Sequence, residues 1–150
     1  SSSSGGNSDY ATIAYSGAGV PLWTNRYNGT ANSYDYASAL AVDGSGNVFV
    51  TGRSDVGVGD NYDYVTVAYA STGAPLWTNR YNAPFGGDDQ PLTSRSLAVA
   101  GDGSVVVAGA SQGTYSGASI YDYAIVKYLT VPPLAIAFTR SSGNQRWPAK

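Results

Sequence analysis

NYDYVTVAYASTGAPLWTNRYN, residues 61–82, decides the fold, because the chain contains it almost twice. Residues 8–28 read SDYATIAYSGAGVPLWTNRYN, and the stretch PLWTNRYN is identical in both copies. Asp9 and Asp63 are 54 residues apart, and so are Trp23 and Trp77. A partial third copy, IYDYAIVKY, runs from Ile120 to Tyr128 and places Asp122 a further 59 residues on. Inside each copy the side chains alternate with a period of two, as strands require. Val65, Val67 and Tyr69 point one way, and Tyr64, Thr66 and Ala68 the other. In the first copy Ala11, Ile13 and Tyr15 oppose Tyr10, Thr12 and Ala14. Ser16 to Val20 reads as a turn, and Pro21 opens a second strand, where its missing N–H is tolerated.

A second kind of unit sits between the copies. Ala37 to Val42 is a short apolar strand, Asp43 to Asn47 (DGSGN) a tight turn, and Val48 to Gly52 another strand. The unit recurs as SLAVAGDGSVVVAG, residues 96–109. One repeat is therefore a meander of four short strands in about 55 residues, the pattern of a propeller blade. Neither face of such a sheet carries charge, so it needs a neighbour on each side. The loops Arg53 to Asn61, Asn82 to Ser94 and Ala110 to Ile120 differ in length and are expected at the surface.

The expected fold is all-β: a partial β-propeller of about two and a quarter blades of four antiparallel strands. Residues 1–130 form it, with an outer half-blade over 8–28, a full blade over 36–82 and a three-stranded blade over 94–128. Residues 131–150 are expected to be a linker at Val131-Pro132-Pro133 with a β-hairpin-like tail. That tail either starts a second β module or supplies an irregular outer strand. Closure of a ring takes more blades, so the chain is expected to be a piece of a longer or processed protein whose remaining blades are its first partner.

Composition narrows the chemistry. The chain has no Cys and no His, which removes disulfides, thiolate chemistry, the usual zinc ligand sets and His-dependent catalysis. Its 10 acidic residues are all Asp, and the net charge is −2. The Arg residues are scattered, so no basic stripe points to nucleic acid. No apolar run is long enough for a membrane helix, and membrane insertion is not expected.

The quoted elements resemble the bacterial β-propeller repeat family abbreviated SBBP. The likeness rests on Ala41-Val42-Asp43, Gly46-Asn47, Val48 to Gly52, Asp63-Tyr64 and Leu76-Trp77 through Tyr81, and covers roughly residues 8–128. The second copy departs from it, with Ala100 for Asp43 and Ser104 for Asn47. The resemblance implies a secreted or cell-surface bacterial protein, and it implies no one reaction. STGAPLW is also similar to the T-G-x-x-x-W pattern of quinoprotein propellers, in which Trp packs between blades.

Each candidate residue has a structural reading. Asp9, Asp63 and Asp122 precede Tyr at strand entrances, where a carboxylate fixes the entering loop through backbone N–H groups; a ring of cation-binding acids is the functional alternative. Gly46 and Gly103 serve turn geometry. Trp23 and Trp77 are expected to pack between sheets rather than stack on sugars. Tyr15, Tyr27, Tyr69, Tyr81 and Tyr128 fill space between blades, with glycan binding as the alternative. Arg26 and Arg80 are expected to keep the outer strand from pairing. Asp55, Asp60 and Asp63 are the candidates for a Ca²⁺ site, with Asp88 and Asp89 as a second; the equivalent loop has only Asp122, so no metal and no cofactor is expected. The expected function is a non-catalytic scaffold or protein/glycan recognition module. The alternative is a wall of a propeller enzyme, a polysaccharide-acting hydrolase or lyase or a quinoprotein.

Overall fold

The computed structural model describes residues 7–57, 61–83, 87–91, 93, 95–115, 118–129 and 135–138. Every regular element among them is a strand. β1 (Tyr10–Tyr15) and β2 (Pro21–Tyr27) pair antiparallel as a two-stranded sheet. β3 (Asp35–Val42), β4 (Val48–Asp55), β5 (Tyr62–Tyr69) and β6 (Pro75–Tyr81) form a four-stranded meander in that spatial order. The third sheet is built on β9 (Val105–Tyr115) and β10 (Ala118–Tyr128). Two short strands, β7 (Asp89–Gln90) and β8 (Leu97–Val99), share the inner edge of β9. β11 (Ala135–Phe138) pairs with the outer edge of β10, from Ile125↔Phe138 to Tyr128↔Ala135. The order within each sheet fits propeller-like blades, and among the described residues no closed barrel forms.

The alternation works as the sequence demands. One face of β5 buries Val65, Val67 and Tyr69 with Tyr10 and Val50, against Trp23 and Tyr27 of the first sheet. The other face buries Tyr64 and Ala68 with Phe49, Leu97, Val105, Val107, Ala124, Val126 and Tyr128 of the third sheet. The middle blade is thus apolar on both sides because both sides are interfaces. Full burial of a Val or Phe side chain contributes roughly 1.5–3 kcal/mol, so these two clusters join the sheets.

The tight turns hold their expected geometry. Gly46 and Gly103 have φ of 81° and 80°, the left-handed region that a side chain disfavours. Asp43 Oδ1 accepts the N–H groups of Ser45 and Asn47, each at 2.8 Å. Asp102 does the same for Ser104 N at 2.9 Å, so the acid moves within the turn while its task persists.

Several boundaries differ from the sequence expectation. β3 begins at Asp35, not Ala37, and absorbs its extra length as a bulge between Ala37 and Ala39. β4 runs three residues past Gly52, so Arg53 to Asp55 pair with Tyr62 to Tyr64 rather than lying in a loop. The stretch 110–120, expected to be a loop, mostly continues the β9–β10 hairpin, from Ala110↔Tyr123 out to Tyr115↔Ala118. Ser111 is buried there opposite Asp89 and Asp122, and the register set by Val105 and Tyr128 propagates through the polar stretch. The inner strand of that blade is split: the insertion between Gln90 and Leu97 breaks what β3 keeps whole. Residues 131–134 and 139–150, including the Pro pair, lie outside the described residues.

Candidate functional site

The strands define two ends. At the turn end lie the β3–β4 and β5–β6 turns. At the entrance end β3 and β5 begin, and β4 and β6 finish. Most of the Asp residues fall at the entrance end, and the register shows why. Asp35, Ser54 and Asp63 are cross-strand partners in one row of the middle blade; Asp89, Ser111 and Asp122 are the same row in the next. Asp35 Oδ2 accepts Gly29 N at 2.6 Å, and Asp89 Oδ2 accepts Ala83 N at 2.6 Å. Both carboxylates are buried, and burial pushes both pKa values up from the ordinary 3.8. Asp35 and Asp89 are 54 residues apart and so form a repeat position that the sequence reading missed. A shared spacing pointed to it: each Asp follows the Asn of TNRYN by seven residues.

These rows meet the preceding blade through tyrosines. Tyr10 donates its hydroxyl to Val65 O at 3.3 Å, and Tyr64 donates to Ala110 O at 3.0 Å. Each ring lies over a glycine. A Cβ on Gly52 would fall 2.6 Å from Tyr10 Oη, and one on Gly109 would strike Tyr64 Oη. Tyr27 and Tyr81 pack on these rings, with centroids 5.2 and 5.5 Å away. The two interfaces are therefore copies of one joint.

The remaining repeated residues belong to the same joint. Trp23 donates Nε1–H to Ser71 O at 3.0 Å in the next blade's turn and stacks tilted on Tyr69, centroids 5.9 Å apart. Asn25 reaches Gly73 O at 2.7 Å beside it. Trp77 meets Tyr128 at 5.3 Å in the same way. Asp63 pairs with Arg80 at 2.8 Å, and Arg80 also donates to Ser54 Oγ at 2.8 Å. This corrects the edge-guard reading of Arg80: the acid row draws it inward to the interface. Its repeat partner Arg26 stays more exposed, 3.5 Å from Asp9.

The proposed Ca²⁺ residues do not converge. Asp55 and Asp63 belong to neighbouring register rows, Asp55↔Tyr62 and Ser54↔Asp63, which places them on opposite faces of the sheet. Asp55 accepts Ser33 Oγ–H and Gly57 N–H, both at 2.7 Å, while Asp63 holds Arg80. Asp60 lies outside the described residues. Asp88 accepts Tyr62 N at 3.0 Å, and Asp89 faces inward. Among the described residues no group of three or more His, Cys, Asp or Glu side chains is placed to hold a metal ion. None of their helices is long and apolar enough to cross a membrane, which says nothing of a β-barrel.

One cluster at the entrance end does not repeat. Arg53 extends over the rings of Tyr36 and Tyr62, 5.0 and 4.6 Å from their centroids, and donates to Gln90 Oε1 at 2.6 Å. Tyr34 lies parallel to Tyr36, with centroids 6.1 Å apart and 2° between planes. Tyr34 and Tyr36 are 40% and 38% exposed. At the places of Tyr34, Tyr36 and Arg53 the next repeat has Asp88, Gln90 and Ala110, so the stacked pair and the cation are lost there, and of the four members only Tyr62 keeps a counterpart, Tyr121. Arg53 and Gln90 fall in the stretches 53–61 and 82–94 that the sequence marks as variable loops, whereas nothing in the sequence marked Tyr34, Tyr36 and Tyr62 as their partners.

No curated protein matches the chain. Residues 23–59, from Trp23 on β2 through the end of β4, match the family model described as a beta-propeller repeat, SBBP. That span, about a quarter of the chain, contains the acid row's Asp35 and Ser54 and the receiving Gly52, and over it the chain is similar to the SBBP β-propeller repeat.

Proposed function

We propose that this chain is a non-catalytic segment of a secreted or cell-surface bacterial β-propeller, a scaffold that recognises its ligand at the entrance end. One observation carries the reading. The residues that recur, Asp, Tyr, Gly, Trp and Arg, are engaged in joining blade to blade, and the exposed cluster at the rim is the part that does not recur. A scaffold of repeated joints leaves specificity to such differences. With β11 on the outer edge of β10, the segment amounts to a half-blade and two four-stranded blades rather than the expected two and a quarter, and its first partners are further blades of the same repeat. Tyr123 supports that: it holds the place of Tyr10 and Tyr64, which are 1% and 0% exposed, yet is itself 85% exposed. A following blade with glycine in its second strand would cover it.

The test is ligand capture from bacterial surface extract and from a carbohydrate panel. The intact chain is compared with a variant whose residues 28–34 and 56–61 are replaced by Gly and Ser. Capture that the variant loses, with an unchanged circular dichroism spectrum, is the expected result. Equal capture by both, or none by either, would sink the recognition reading. Polysaccharide turnover abolished by Asp63→Asn in a folded protein would instead favour an enzyme.

A further inference from the structure

We infer that the platform formed by Tyr34, Tyr36, Arg53 and Tyr62 binds a neutral oligosaccharide; this rests on the recognition reading above and names its ligand class. Three features select that class. The first is shape. Tyr34 and Tyr36 stack parallel with centroids 6.1 Å apart and remain 40% and 38% exposed, so the pair presents an aromatic surface on which a sugar ring can stack. The faces of such rings are electron-rich, and the axial C–H bonds of a pyranose present the complementary positive edge.

The second feature is charge. Tyr36 and Tyr62 already hold a cation, the Arg53 guanidinium, so a cationic ligand would meet like charge at the rings. The surroundings are acidic. Asp55 is the register partner of Tyr62, and Asp88 accepts the Tyr62 N–H. An anionic ligand would approach against these carboxylates. A neutral polyol meets neither penalty.

The third feature is hydrogen bonding with preset geometry. Arg53 is held between two rings and Gln90 Oε1, so a ligand meets a guanidinium that is already ordered. Gln90 spends its oxygen on Arg53 and leaves its amide N–H groups as donors. Carboxylates, planar amide and guanidinium groups beside aromatic faces are the partners that vicinal hydroxyls require.

The experiment is affinity electrophoresis of the intact chain through gels containing a soluble mixed-linkage β-glucan, a galactomannan or a polygalacturonate. Tyr34→Ala/Tyr36→Ala and Tyr36→Phe are run beside it. Expected are retardation by a neutral polymer, weakening of at least tenfold in the double variant and retention in Tyr36→Phe, which keeps the ring. Retardation by no neutral polymer, retardation that the double variant leaves intact, or preference for polygalacturonate overturns the inference. The two readings fail separately. Capture of a protein ligand that depends on the loops but not on Tyr34 and Tyr36 overturns the sugar platform and leaves recognition standing, whereas loss of all capture overturns both.

Discussion

Gly109→Ala should split the second blade from the third. A Cβ there would lie 2.8 Å from Pro91 Cα and closer still to Gln90 O and Tyr64 Oη. Two of the three obstacles are backbone atoms in the entry to the inner strand, and neither can swing aside as a side-chain tip would. Overpacking costs about 1–3 kcal/mol where neighbours can adjust, so this site belongs at the upper end. If the sheets separate to relieve the clash, the Tyr64–Ala110 hydrogen bond is lost as well, about 1 kcal/mol more. The expected total is about 3–4 kcal/mol. Gly44→Ala is the control. No atom lies within 4 Å of its Cβ position and its φ is not positive, so fewer unfolded conformations should stabilise the protein by about 0.4–1 kcal/mol. Urea unfolding followed by tryptophan fluorescence reads both, since Trp77 sits at this joint, provided the m-values agree. The double variant Gly109→Ala/Tyr64→Phe should recover little, because it removes only the hydroxyl. A Gly109→Ala protein within 0.5 kcal/mol of Gly44→Ala would refute the joint as described, and full recovery in the double variant would refute the role of the backbone.

Arg80→Ala should cost about 3–5 kcal/mol by leaving the buried Asp63 carboxylate without its cation, while Arg26→Ala, at an exposed 3.5 Å pair, should cost about 0–1 kcal/mol by thermal melting. The pH dependence of Asp89 has a definite sign. Its folded pKa is raised by burial, so the folded state holds the proton more tightly than the unfolded chain. Its contribution is complete below the ordinary value of 3.8 and declines as pH rises through the raised folded value. Asp55 and Asp102, held low by hydrogen bonds from Ser33 and Ser104, tilt the whole curve the other way. The measurement is therefore the stability of the protein minus that of Asp89→Asn from pH 3 upward: a falling difference is expected, and a rising one would reverse the assignment. Tyr123→Ser should reduce self-association in concentration-dependent sedimentation, because it removes an 85% exposed ring at the open end of the stack; unchanged sedimentation would show that this face is not sticky.

What the sequence disclosed follows from what repetition preserves. Asp63-Tyr64, Gly52, Trp77 and Arg80 each had a copy at a fixed distance, and period-two alternation told which faces they shared. The joint between blades was legible because it is built twice. Asp35 and Asp89 have a copy too, but SYDY and GDDQ share one residue, and burial rather than a motif marks the position. The β9–β10 extension escaped for another reason. Ser, Gly, Gln and Thr carry turn statistics, yet a hairpin of two eleven-residue strands needs only register from its apolar base. The Arg53 platform was least legible of all: Tyr34 precedes β3 and its other residues lie on β3, β4, β5 and β7, and their meeting is a consequence of stacking, which no local pattern encodes.

The joint is also directional. Each blade presents the Tyr pair, Tyr10 with Tyr27 or Tyr64 with Tyr81, on one face. On the other it presents the glycine and the acid row, Gly52 with Asp35 and Asp63, or Gly109 with Asp89. A Tyr face cannot dock on a Tyr face, because two rings would compete for space that only glycine leaves open. Nor can two acid rows meet, since each would bury carboxylates against carboxylates. Blades therefore add in one order, and a contact between copies of this chain is head-to-tail rather than two-fold. In a ring built of such blades that directionality would fix the sequence of blades around the axis. It also fixes which face of each blade is hidden, and so leaves the entrance rim as the surface on which blades can differ without loosening the joints that hold them.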